Sequence, residues 1–127
     1  MTDHRSFLKA IRPTLDLPPV EESQALLAFQ NETLRPILKL QHELVISLAQ
    51  GTTGFDQLQH HFKTEEEYIN LISHFISRQA ELRHQLIGMI IGHFTLAEWS
   101  FYSTHKAEIK KRIVHMAAQR IAYATGL

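Results

Sequence analysis

Residues Glu81–Glu108 read ELRHQLIGMIIGHFTLAEWSFYSTHKAE, and the fold turns on how this stretch is read. Near its middle stands Thr95, followed by Glu98. A threonine oxygen can accept the amide of the residue three positions on, and that residue's carboxylate can return to the threonine amide. Phe94 before the cap and Trp99 at the fourth helical position form the hydrophobic staple that accompanies such a box. One helix is therefore expected to end near Phe94 and another to start at Thr95, reversing the chain tightly.

Outward from this turn, both flanks have helical period. Upstream, Tyr68, Ile72, Phe75, Gln79, Leu82, Leu86, Met89 and His93 share one face, and Thr64 with Glu67 provides a second capping signal at the start. Downstream, Trp99, Tyr102, Ile109, Ile113, Ala117 and Ala124 share another, with Gly126 as a stop. A third helical pattern runs from about Glu21 to Gln50, with Leu26, Thr33, Ile37, Leu44 and Leu48 on its stripe. Pro36 lies inside it and lacks an amide donor, so a kink or split is expected near Glu32–Pro36. GTTG at 51–54 ends that helix, and FDQLQHHF follows as a short connecting helix.

The expected fold is all-α: an up-down bundle of three long antiparallel helices with a short N-terminal helix or strap and a short connecting helix. Residues 1–127 form a single domain, with 1–19 as the strap and 20–127 as the bundle. In the strap, Pro13, Pro18 and Pro19 forbid a continuing helix, and Leu15 and Leu17 are the expected anchors.

Composition bounds the function. Hydrophobic residues make up 44% of the 127 residues and charged residues 20%, which suits a folded core. Thirteen basic residues balance 13 acidic ones, so no long-range field draws the chain to nucleic acid or an anionic membrane. Cysteine is absent, which removes disulfides, thiolate catalysis and cysteine-ligated metals. The longest apolar run, LIGMII, is too short to span a bilayer, and no signal-peptide core is present. A cytoplasmic protein is expected. No phosphate loop, nucleophile elbow or His-Glu-x-x-His motif occurs.

Three sets of residues carry candidate sites. Glu81 and His84 mirror His105 and Glu108 about Thr95. In an antiparallel hairpin these four meet at one level, where they could hold a divalent iron, manganese or zinc ion. The helical wheel opposes this: at about 100° per residue, Glu81 lies more than about 150° from its apolar stripe. Ion pairs on a surface or interface are the favoured reading, and no cofactor is expected.

The second set is Ile87, Gly88, Ile91 and Gly92. A glycine inside a helix costs about 1 kcal/mol relative to alanine, so two of them ask for a close neighbour. The segment at 1–19 or the same helix from a second copy would supply one, and a homodimer is the simpler supply. The third set is Arg35, Arg112 and Arg120, together with Lys106; if they share a cleft, an anionic ligand fits. The basic run KAEIKKR is weak evidence for nucleic acid, which is an unlikely partner on these grounds.

His93 is expected to be structural, gaining from the helix dipole if protonated. The function expected is a non-enzymatic helical domain for protein interaction or self-association. A metal-binding bundle or metal-dependent enzyme is the first alternative, and a small anion- or nucleic-acid-binding protein the second.

Overall fold

The computed structural model describes residues 5–13 and 24–126. Of the expected strap, residues 1–4 and 14–19, with Leu15 and Leu17 among them, lie outside the described residues. Among the described residues, eight α-helical segments follow one another: α1 (Phe7–Ala10), α2 (Ala25–Phe29), α3 (Arg35–Leu40), α4 (His42–Gln50), α5 (Glu65–Arg78), α6 (Ala80–Ile91), α7 (Leu96–Thr104) and α8 (Lys106–Thr125). A π-helical turn, Gln30–Leu34, fuses α2 and α3 into one rod, and a 3₁₀ helix, Phe55–His60, links α4 to α5.

The all-α class stands, but the three-helix bundle does not. Each of the three expected long helices is broken once, which yields six principal helices. The breaks fall at Gln41 (φ −95°, ψ 11°), Gln79 (φ −102°, ψ 91°) and His105 (φ −135°, ψ 30°). None is proline or glycine. Local hydrogen bonds and side-chain contacts stabilise each break instead.

The Gln41 carbonyl accepts the amide of Val45 at 2.9 Å, and its side chain meets His93 Nε2 at 2.7 Å. The Gln79 carbonyl accepts the amide of Arg83 at 2.9 Å, and the Arg83 guanidinium reaches back to the Ser77 carbonyl. The second of these bonds satisfies a carbonyl that the end of α5 would otherwise leave unpaired. His105 stacks on Phe101, with ring centroids 4.3 Å apart.

Pro36 has the opposite outcome. The rod continues through it because the preceding turn widens: the amide of Arg35 donates to the carbonyl of Gln30, five residues back. The proline is buried. A π turn gives room where its ring would otherwise crowd the carbonyl four residues earlier.

The longest helix, α8, is the axis of the molecule. It touches α3, the π turn, α4, α5, α6 and α7. Ile109, Ile113, Ala117, Ala118 and Ile121 are its most buried residues. Small alanines on an axial helix let neighbours approach on several sides while still excluding water. At its C-terminal end Tyr68 Oη of α5 lies 2.7 Å from Thr125 Oγ1, and α5 runs antiparallel to α8 from there.

Both capping signals act. Thr64 accepts the Glu67 amide at 3.1 Å, although Glu67 returns to the amide of Lys63 rather than Thr64. At Thr95 the box is complete: the Glu98 amide donates to Thr95 Oγ1 at 3.2 Å, and Glu98 Oε1 accepts the Thr95 amide at 2.9 Å. Phe94 is buried and packs edge-on against Phe29 and Tyr102, whereas Trp99 is 44% exposed.

Candidate functional site: a basic groove with an apolar floor

The split at Gln79 changes which residues of α6 face the bundle and opens a groove between α5, α6, α7 and α8. Its volume is about 630 Å³. Ile87, Tyr102 and Val114 form the buried floor, with Ile91 half-buried beside them. Gly88 lies in the α6 wall, and a Cβ added there would meet nothing within 4 Å. The glycine therefore leaves open space in the groove, and among the described residues no neighbouring helix presses on it.

The rim is cationic. Arg83 and His84 come from α6, and Lys110, Lys111 and His115 from α8; among the described residues no acidic side chain is in the lining. Ser73 of α5 adds a polar group whose hydroxyl is buried without a partner. Tyr102 has its phenol pKa raised by burial, so it stays neutral through the physiological range.

Three of the four expected interface residues, Ile87, Gly88 and Ile91, thus line one groove. Gly92 does not: it ends α6, and its carbonyl accepts a hydrogen bond from Arg5.

The four candidate metal ligands are dispersed. His84 is on the basic groove, whereas Glu81 lines a separate cleft with Leu48 and Gln85. His105 occupies the break before α8, its Nδ1 2.8 Å from Thr104 Oγ1 and 3.0 Å from the Phe101 carbonyl. Glu108 is exposed on α8. The hairpin that would have paired the two motifs is interrupted at His105, between α7 and α8. Among the described residues no three His, Cys, Asp or Glu side chains are grouped to hold a metal ion.

The three candidate anion-binding arginines divide into two places. Arg112 donates to Gln30 Oε1 at 2.5 Å, beside the π turn. Arg120, about 12 Å further along the α8 axis, meets His42 Nδ1 at 3.3 Å. Arg35 lies close enough to Arg120 for its charge to add to burial in lowering the Arg120 pKa.

A further polar centre was not anticipated. Arg12 crosses to the α6–α7 turn and grips Glu98 with two bonds, 2.8 Å and 2.7 Å, while also reaching the His93 carbonyl. The two side chains are 5% and 9% exposed. Thr33 adds a bond to Glu98 at 3.1 Å, and Arg5 donates to the Phe94 carbonyl at 2.8 Å. Burial raises the pKa of Glu98, but the bonds from Arg12, Thr95 and Thr33 and the charge of Arg12 outweigh it, and the net direction is down. His93 is lowered by burial and by the charges of Arg12 and Arg5. The dipole-stabilised protonated imidazole expected there is thus disfavoured.

Arg12 carried no local signal, because its partner is 86 residues away. The rim lysines were visible only as a short basic run, since nothing local indicates that α5 and α6 leave a trough beside them.

No family model matches this chain, and no curated protein or solved structure does either. No helix among the described residues is long and apolar enough to cross a membrane.

Proposed function

We propose that this chain is a non-catalytic interaction domain that docks an acidic amphipathic helix of a protein partner in the α5–α8 groove. The supporting observation is the groove's two-part chemistry. An apolar floor of Ile87, Ile91, Tyr102 and Val114 lies under a rim of Arg83, His84, Lys110, Lys111 and His115, with no acid among them. An amphipathic helix places its apolar residues at i, i+3, i+4 and i+7, so one stripe can fill such a floor. Glutamates beside that stripe would then meet the rim cations, which favours fast and selective encounter.

The same charges weigh against a two-fold dimer formed groove to groove. A two-fold axis brings like surfaces together, so the rim cations of one copy would face those of the other. A second copy is therefore a weaker candidate for this groove than an acidic partner, and a homodimer would need another face.

The test is fluorescence anisotropy with a labelled Leu/Glu amphipathic helical peptide and a Leu/Lys counterpart of the same pattern. Saturable binding of the acidic peptide is expected, weakening as salt is raised. The double charge reversal Lys110→Glu and Lys111→Glu is expected to weaken it by about tenfold or more. Both lysines are exposed, so the variant is expected to fold. Equal binding of the two peptides, or equal affinity of the variant and the parent chain, would overturn the reading.

A further inference from the structure

A second cleft lies at the elbow where α3 gives way to α4, with Arg120 of α8 in its lining. Its volume is about 750 Å³, and Lys39, Gln41, His42, Ser47 and Arg120 supply its hydrogen-bonding groups, with Glu43 as the acid of the lining. Arg35 stands one helical turn before Lys39, on the same face of α3.

The elbow exists because the helix breaks at Gln41. Without that break His42 would continue the rod and would not turn towards Arg120, which it meets at 3.3 Å.

The arginines here are under-partnered. Arg35 donates to Asn31 Oδ1 at 3.3 Å, a neutral acceptor near the limit of a hydrogen bond. Arg120 has only the imidazole contact. Among the described residues neither forms an ion pair with a carboxylate, whereas Arg12 holds one bidentately. Two half-buried guanidiniums close to one another repel, and burial strengthens the repulsion. Satisfied buried charges are the rule, so unpaired ones at a cleft point to something that pairs them.

We infer that the α3–α4 elbow, closed by Arg120, binds a phosphate-type oxyanion. The cleft is net positive: Lys39 and Arg120 outnumber Glu43 in its lining, and Arg35, which is not in the lining, adds its charge close to Arg120. A tetrahedral oxyanion can accept the planar fork of a guanidinium through two oxygens while a third accepts from Lys39, His42 or Ser47. Carboxylates share the charge but present only two oxygens. This inference is independent of the α5–α8 groove, because the two clefts share no lining residue.

The experiment is a ¹⁵N–¹H titration of the full chain with inorganic phosphate, ionic strength held constant with chloride. Saturating shifts are expected for His42, Ser47 and Arg120, with Lys110 and Lys111 unmoved. Arg120→Gln is expected to weaken the saturation by about tenfold or more, the loss associated with one charge-assisted bidentate contact. Arg35→Gln is a second variant with the same expected direction, and K110E/K111E is expected to leave the phosphate response intact. Equal titration of Arg120→Gln and Arg35→Gln with the parent chain would overturn the inference. So would shifts scattered over all basic residues, or an oligonucleotide that moves these resonances when inorganic phosphate does not.

Discussion

Arg12 and Arg120 are both arginines drawn into the protein, and their surroundings differ in one respect. Arg12 meets a carboxylate, two guanidinium nitrogens to two oxygens, in a pocket that Thr33 and the Thr95 amide complete. Arg120 meets an imidazole at the edge of a cleft, with a second arginine nearby. The first arrangement is closed and locks the N-terminal segment to the α6–α7 turn. The second is open, and among the described residues Arg120 forms no ion pair with a carboxylate. Two arginines drawn into the same protein thus differ in whether an internal carboxylate answers them.

The largest expected effect lies at the closed site. Arg12→Ala leaves the Glu98 carboxylate buried and uncompensated, and is expected to cost about 3–5 kcal/mol by urea unfolding. Replacing both partners with apolar residues of similar size, Arg12→Met with Glu98→Leu, is expected to recover most of that loss. A double variant as unstable as the single one would mean that the pair is not the source of the effect.

Acid should act in the same place. The folded-state pKa values of His93 and Glu98 both lie below their usual 6.5 and 4.5. In each case the unfolded chain binds the proton more readily, so stability is full above the usual value and falls as pH drops through it. Unfolding free energy is expected to decline as pH falls below about 6.5 through His93, and again below about 4.5 through Glu98. His93→Gln is expected to flatten the upper part of that profile and leave the lower part.

Smaller effects follow. Thr95→Ala removes the cap oxygen that accepts the Glu98 amide and is expected to cost about 1 kcal/mol. Arg120→Gln is expected to change stability by less than about 0.5 kcal/mol in phosphate-free buffer, because no ion pair is lost. A loss of several kcal/mol at Arg120 would erase the contrast with Arg12.

The helices were legible where local chemistry decides them. Thr95 and Glu98 announced their turn, and Tyr68, Ile72, Ile109, Ile113 and Ala117 were recognisable as core by period alone. The breaks were not. Gln41, Gln79 and His105 are ordinary helical residues, and their departures from helix depend on partners such as His93, Arg83 and Phe101. Pro36 is the converse, a strong local breaker overridden by one π turn.

Because the breaks rotate each following helix, they also reassigned faces: Leu44, expected in the stripe, is 52% exposed, and Val45 and Ala49 are buried in its place. The groove shares that origin. Ile87, Gly88 and Ile91 could be singled out as an apolar face wanting cover, but the lysines opposite them belong to α8, and only the packing brings the two together.

The most direct test of the groove is methyl NMR on the isoleucines and valines during titration with the acidic amphipathic helix. Shifts confined to Ile87, Ile91 and Val114 that saturate together, with Ile37 and Ile72 unmoved, are the expected result. No saturable shift at Ile87, Ile91 and Val114 at low ionic strength, or saturation at other positions, would contradict docking in this groove.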